Sequence, residues 1–357
     1  MKICIVTGGS GGHIYPALTF ADYAKENSDT SIFFIGNQDR MESRIIPEAG
    51  YPFFAIHNKG LQGSVLDKVK AVAGQFSAIS EARKILKEQK PDLLFAFGGY
   101  VTLPCVLAAH RLNIPVVLHE QNAYVGKANK MAARYARAII TCYDKAFEGV
   151  ESVYQYGNPR GAIDPKQIDS KHEMKRLGIK DTDAIVLYVM GSQGAQTMND
   201  VMVDLIPKVK DKPYKLVVST GANEYQSFIR RIEQVPSNVI VEPFVDQKAL
   251  LGVTDLVVAR SGATTIAELA AFKTPSILIP SPYVANNHQL YNAKALEDKG
   301  ACVLIEEDRV KTDVLMDAID DLMGDSIKLK AIGTAVSTFA RPDANQRILA
   351  LLKTIGA

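Results

Sequence analysis

The chain of 357 residues lacks the features that mark several large functional classes. Its formal net charge is only +2, from 41 basic and 39 acidic residues, which leaves no electrostatic footprint for nucleic acid. It has four cysteines, Cys4, Cys105, Cys142 and Cys302, none at CxxC spacing and each among apolar neighbours. They read as small buried hydrophobes in a reducing compartment. No apolar run approaches the roughly 18 residues that would cross a bilayer. The first strand runs straight into glycines and offers no signal-peptide segment. These absences lead to the expectation of a cytoplasmic protein, with attachment to a membrane surface left open. Neither an HxxxH pattern nor a Cys/His cluster suggests zinc. Asp181-Thr182-Asp183 matches a metal-holding DxD pattern, but it sits in a polar turn without other ligand types and reads as solvated.

Two familiar nucleotide motifs are also missing. A dinucleotide fingerprint needs GxGxxG, yet counting from Gly9 and Gly11 the third position is Ile14. The second strand closes on Ile35-Gly36-Asn37 without the acidic residue that would hold a ribose, so an NAD enzyme is not expected. A P-loop needs GxxxxGK followed by Ser or Thr. Here Gly126-Lys127 is followed by Ala128, and Gln121 stands where the first glycine belongs.

What the chain does have is glycine at the ends of apolar runs. Gly8-Gly9-Ser10-Gly11-Gly12-His13 follows Ile3-Cys4-Ile5-Val6 and precedes a helix-like segment from Ile14 to Lys25. A strand, a glycine turn and a helix start bring unpaired N–H groups and a positive dipole end to one place, which suits a phosphate. Similar arrangements recur from Ala96 to Tyr100 and from Val189 to Ala195. Three such cradles imply two phosphorylated ligands, or one at a domain interface.

The remaining pattern is α/β. Apolar runs are expected as strands at residues 3–7, 31–35, 53–56, 93–97, 116–119, 138–141 and 153–156, then at 184–189, 214–219, 239–241, 256–259, 276–279 and 302–305. Helix-period segments separate most of them, the longest from Val65 to Lys87. This rhythm predicts parallel sheets with right-handed crossovers in two doubly wound domains. The boundary is expected at Gly157-Asn158-Pro159-Arg160-Gly161. The first domain then covers residues 1–160 plus a final helix at about 342–357, and the second covers 161–341.

Seven motifs, GGSGGHIYPAL, FGGYVTLP, HEQNAYVGKAN, GNPR, GSQGA, SGATTIAE and HQLYNA, occur in this order across residues 8–293. Together they closely resemble the MurG family of bacterial N-acetylglucosaminyltransferases. The resemblance implies the GT-B architecture, two Rossmann-like doubly wound domains facing across a cleft, with the last helix returning to the first domain. It implies inverting transfer of GlcNAc from UDP-GlcNAc to the C4 hydroxyl of MurNAc on undecaprenyl-pyrophosphoryl-MurNAc-pentapeptide, at the cytoplasmic face of the membrane. UDP-GlcNAc is then a substrate, and neither a cofactor nor a metal is expected.

The resemblance also suggests roles. Ser10, Gly11 and Gly12 fall where the family touches the nucleotide sugar, and Gly98, Gly99 and Tyr100 fall at the acceptor. Asn122 and Gln289 match positions that meet the donor sugar, Val245 one whose backbone reads uracil, and Glu268 one that holds the ribose diol. Ser192, Gln193, Gly194 and Ala195 are expected to open the second domain's first helix beneath the diphosphate, and Ala263, Thr264 and Thr265 another helix start on the donor side. The loop departs from the family's GGSQGA at Met190, whose side chain is expected to be tolerated at the strand's end. His288 replaces a glutamine common among relatives, so its contact is expected to differ. His13, with a side-chain pKa near neutrality, is the candidate general base.

From Leu61 to Phe76 the chain carries Val65, Val69 and Val72 with Lys68 between them, an apolar face flanked by lysine. The pattern fits a helix lying on the anionic inner leaflet, and equally a core-facing helix; the lipid-linked acceptor favours the membrane. The alternatives to the transferase are a UDP-GlcNAc 2-epimerase or another GT-B glycosyltransferase, and a nucleotide-sugar sensor that binds without turnover.

Overall fold

The computed structural model of the chain describes residues 1–58, 65–191 and 194–357, leaving aside the side chains of residues 65–73. The chain divides into two compact units, Met1–Ala162 with Arg341–Ala357, and Ile163–Ala340.

The first unit runs β1 (Lys2–Val6), α1 (Gly11–Asn27), β2 (Ser31–Asn37), α2 (Glu42–Glu48), β3 (Phe53–Ile56), α3 (Val65–Gln89), β4 (Leu93–Ala96), α4 (Thr102–His110), β5 (Val116–Glu120), α5 (Lys127–Ala132), β6 (Ala138–Thr141) and β7 (Val153–Tyr154). Its strands form one sheet in the order β3-β2-β1-β4-β5-β6-β7. Every pairing is parallel. The strands are apolar along their length because both faces are covered. Along β1, Ile3 and Ile5 meet Ile14, Ala17 and Phe20 of α1. Cys4 and Val6 point the other way, toward Ala78 and Ala82 of α3 and Cys105 of α4.

The second unit runs α6 (Lys171–Leu177), β8 (Ile185–Val189), α7 (Gln196–Leu205), β9 (Lys215–Ser219), α8 (Tyr225–Ile229), β10 (Val239–Glu242), α9 (Gln247–Leu251), β11 (Leu256–Ala259), α10 (Ala263–Phe272), β12 (Ser276–Leu278), α11 (His288–Glu297), β13 (Val303–Leu304), α12 (Thr312–Met323) and α13 (Ser326–Ser337). Its sheet order is β10-β9-β8-β11-β12-β13, again all parallel. Val186 and Tyr188 of β8 share a core with Met198 and Met202 of α7 and Leu315 and Ile319 of α12. The chain ends in α14 (Ala344–Ile355), which lies on the first unit: Ile348, Leu349 and Leu352 join the core of Ile3, Phe20 and Phe95.

All thirteen segments expected as strands are strands. Three cysteines are buried, whereas Cys142 is only half-buried. The helix after β8 is the second of its unit, not the first, because α6 precedes the strand. Asp183 of the DxD pattern is not simply solvated. It accepts from the backbone N–H of Lys180 at 2.7 Å and pairs with Lys215 Nζ at 2.9 Å, which holds its carboxyl below the usual range. Among the described residues, no helix is long and apolar enough to cross a membrane.

Candidate active site

In a parallel sheet all strand C-termini lie along one edge, and ligands bind at that edge where the strand order reverses. In the first unit the reversal falls between β1 and β4. The loops that follow those two strands are Thr7–Ser10 and Phe97–Val101, which contain two of the glycine motifs. The loops meet backbone to backbone. Gly99 has φ +90°, and a Cβ there would stand 2.3 Å from the Gly8 carbonyl oxygen, so only glycine fits. Beside them, Ser10 caps α1 in an extended conformation, and its carbonyl accepts from the N–H groups of His13 and Ile14. The N–H groups before these have no carbonyl behind them within the helix. The His13 ring lies against Gly98, whose Cβ would come within 2.9 Å of it, and His13 Nδ1 is 3.3 Å from Ser10 Oγ.

The end of β5 joins this group. Gln121 Nε2 donates to the Phe97 carbonyl at 2.7 Å. Glu120 is buried and organises the next loop: it accepts from the N–H groups of Asn122 and Gly126 at 3.1 and 3.0 Å, and from the Asn122 and Asn129 side chains at 3.2 and 3.0 Å. Burial pushes its carboxyl up, opposed by those bonds. His119 is fully buried, stacked on Phe97 at 4.9 Å, with Nε2 3.0 Å from the Gly157 carbonyl. Burial lowers its imidazole from 6.5 to about 4, so it is neutral at physiological pH.

In the second unit the order reverses between β8 and β11. After β8, Met190 is buried in the core, and Gly191 and Gly194 take φ of +97° and +79°. A Cβ on Gly194 would lie 2.5 Å from the Thr220 carbonyl, so this loop too is held against backbone. Ala195 caps α7. Ser192 and Gln193 lie outside the described residues. After β11, Arg260 is buried, donates to the Ile279 carbonyl at 3.1 Å and pairs with Glu307 at 2.5 Å. Ser261 Oγ donates to the Gln289 carbonyl at 2.8 Å, and Gln289 Oε1 accepts from the Ser281 N–H at 2.8 Å. Gly262 caps α10, so Ala263, Thr264 and Thr265 are its first turn. Glu268, which composition alone reads as an exposed helix residue, is 4% exposed and accepts from Gln247 Nε2 at 3.1 Å. Val245 is buried, and Asp246 after it caps α9. Asn287 is the left-handed cap before α11, and His288 Nδ1 is 2.9 Å from the Ala285 carbonyl.

Within the first unit the structure therefore brings together Ser10, Gly11, Gly12, His13, Gly98, Gly99 and Tyr100, with Asn122 on the neighbouring loop. Within the second it places Gly194, Ala263, Thr264, Thr265, Gln289 and Val245 on loops and helix starts beyond the strand ends, with Glu268 in the second turn of α10. Leu61 lies outside the described residues, as do the side chains of Val65, Lys68, Val69 and Val72. Phe76, on α3, is 68% exposed. Sequence reasoning passed over Glu42, Asn58 and Asn129, all buried polar residues tied to these loops. For Asn129 a signal existed, since it closes the HEQNAYVGKAN motif. Among the described residues, no group of three or more His, Cys, Asp or Glu side chains could hold a metal ion.

Residues 3–141 match the glycosyltransferase family 28 N-terminal domain, and residues 185–348 its C-terminal domain. The chain is 40% identical, over 99% of both chains, to the UDP-N-acetylglucosamine--N-acetylmuramyl-(pentapeptide) pyrophosphoryl-undecaprenol N-acetylglucosamine transferase of Halalkalibacterium halodurans. Among solved structures it is similar to MurG of Acinetobacter baumannii, with TM-score 0.82 and 26% identity over 99% of both chains. The UDP-GlcNAc 2-epimerase of Neisseria meningitidis shares the fold, with TM-score 0.69 and 14% identity over 99% of this chain and all of that one.

His119 gives the site a pH signature. A histidine whose folded pKa lies below its unfolded value contributes stability that is intact above about pH 6.5 and lost as pH falls toward about 4. The loss amounts to roughly 1.4 kcal/mol per pH unit across that window. Glu120, shifted upward, works in the opposite sense. Denaturant unfolding of wild type and His119→Asn between pH 4 and 7 isolates the term. The wild type is expected to lose stability relative to the variant on acidification, and parallel curves would show that His119 is not buried neutral.

Proposed function

The chain belongs to glycosyltransferase family 28, and from that premise we propose that it transfers GlcNAc from UDP-GlcNAc to MurNAc-pentapeptide carried on pyrophosphoryl-undecaprenol. The observation that carries the reading is the joined pair of glycine loops at the switch point of the first sheet, with His13 packed on Gly98. The full-length relative at 40% identity supports transfer over epimerisation, for which the likeness is one of fold alone.

In the proposed reaction the C4 hydroxyl oxygen of MurNAc bonds to C1 of GlcNAc, and the bond from C1 to the diphosphate oxygen breaks. UDP departs with the bonding electrons, and the hydroxyl proton passes to a base. Attack opposite the leaving group turns the α linkage into β. His13 is assigned as that base; a positioned general base contributes typically about 10²–10⁴-fold. The leaving diphosphate is assigned to the loop at Ser192, Gln193 and Gly194 and the start of α7. Charge-assisted bonds there stabilise it by about 1.5–3 kcal/mol each. Ala263, Thr264 and Thr265 begin α10 on the same edge of the sheet, and their place in the first turn supports a second set of donors.

Glu268 is assigned to the ribose hydroxyls, where a carboxylate accepts from both ends of a diol. Its burial and its bond to Gln247 fix the carboxylate's orientation, which supports this role. Val245 is assigned to uracil through its backbone. Asn122 and Gln289 are assigned to the sugar, together with Ser10, Gly11 and Gly12. Gly98, Gly99 and Tyr100 are assigned to the acceptor.

The lipid-linked acceptor calls for a seat on a membrane. The segment containing Leu61, Val65, Lys68, Val69, Val72 and Phe76 is assigned to it, on the cytoplasmic face. The exposure of Phe76 supports this, because the face of α3 that packs on the sheet at Ala78 and Ala82 leaves this ring uncovered.

UDP release from UDP-GlcNAc, measured with and without a short-chain analogue of the acceptor, tests the activity. Release that depends on the acceptor is expected; binding without release would overturn the reading. Glu268→Ala is expected to raise the apparent donor KM at least tenfold, and an unchanged donor KM removes Glu268 from the ribose. Phe76→Asp is expected to weaken sedimentation with anionic vesicles while UDP-GlcNAc binding is kept. Undiminished sedimentation would place the membrane face elsewhere.

A further inference from the structure

We propose that Glu42 and Asn58 are positioning residues for transfer. They hold the two glycine loops of the first unit in register through one buried chain of hydrogen bonds. The proposal rests on reading those loops as part of the transfer site.

The chain of bonds begins under the first loop. Glu42, the first residue of α2, is fully buried; its Oε2 accepts from the Gly9 N–H at 3.2 Å and its Oε1 from the Asn37 N–H at 3.1 Å. Asn37 Oδ1 accepts from the Asn58 N–H at 3.0 Å. Asn58 Nδ2 donates to the Tyr100 carbonyl at 2.6 Å, which reaches the second glycine loop. Asn58 Oδ1 accepts from Gln75 Nε2 of α3 at 2.8 Å. Asn37 and Asn58 are 7% and 6% exposed, so the middle of the chain is shielded from water, while its end links at Gly9 and Tyr100 are part-buried.

Two features argue that this is more than packing. A buried carboxylate is costly unless it is paired and hydrogen-bonded, and among the described residues no cation pairs with Glu42. Its compensation is two backbone N–H groups, one from the glycine loop itself. Room for it also depends on glycine. A Cβ on Gly8 would lie 2.3 Å from Glu42 Oε1, and one on Gly36 would lie 2.7 Å from its Cγ. The loop and the carboxylate are thus fitted to each other. Tyr100 and Gly9 sit at the two loops assigned to the sugars, and neither Glu42 nor Asn58 is assigned a substrate contact. Both act through the backbone they hold.

Near-isosteric variants separate this role from packing. Glu42→Gln keeps the volume but turns an NH2 toward one of the two N–H donors. Asn58→Asp keeps the volume but turns an acceptor toward the Tyr100 carbonyl. Each is expected to lower kcat about 10- to 100-fold, the scale of a misplacement near 1 Å remote from the chemistry. The Kd for UDP, whose diphosphate, ribose and uracil are all assigned to the second unit, is expected to hold. Because one chain is broken at two points, the double variant is expected to lose little more than the worse single variant. A wild-type kcat in either single variant, losses that multiply in the double variant, or a UDP Kd that weakens in step with kcat would overturn the proposal. If Glu42→Gln does not fold, Asn58→Asp decides by the same kcat and Kd readings. No transfer by the unaltered protein would fail the functional reading and remove this role with it. Transfer by the unaltered protein with unaffected variants would fail this proposal alone.

Discussion

The contact between the Gly8 carbonyl and the backbone at Gly99 is the constraint on which the first unit's site depends. It brings the ends of β1 and β4 together at the one place in the sheet where consecutive crossovers diverge. No side chain fits between them. His13, in the first turn of α1, fills the remaining space over Gly98, so its imidazole is oriented by the same approach. Gln121 and Asn58 fasten the second loop from either side through the carbonyls of Phe97 and Tyr100. The loops are set before any substrate arrives, and binding need not pay to order them.

The second unit repeats the solution with different residues. Its first loop, after β8, is held at Gly194 against the Thr220 carbonyl, and its second, after β11, is cross-tied to α11 through Ser261, Gln289 and Asn292. The buried Arg260–Glu307 pair anchors the start of that second loop to the segment after β13. A helix start at a strand's C-terminal end attracts anions through its unpaired N–H groups and its dipole. Family 28 membership is consistent with two such edges in one chain, since its N- and C-terminal domains each supply one.

Much of this was legible in the sequence, for physical reasons. Strands buried on both faces appear as uninterrupted apolar runs, so each of the thirteen could be found from composition alone. Glycines clustered at the ends of such runs marked the loops, because few other residues adopt their backbone angles. Burial of polar residues was not legible. Glu268 looked like a solvated helix residue, since a carboxylate gives no local hint of the N–H groups that will surround it. Glu42 and Asn58 were invisible for a related reason. Their partners lie 33 and 42 residues away in the chain, and only the fold brings them together. Met190 was read as tolerable, and its side chain is absorbed by the core of the second unit.

The most direct test is the acceptor-dependent transfer rate of Gly99→Ala, measured beside its affinity for UDP. One methyl group at that position must push the two loops apart, in a backbone conformation that side chains rarely adopt. A folded variant that binds UDP normally and transfers about 10²-fold more slowly is the predicted result. A folded variant with the wild-type rate would contradict the account, since the close approach of the two loops would then be dispensable.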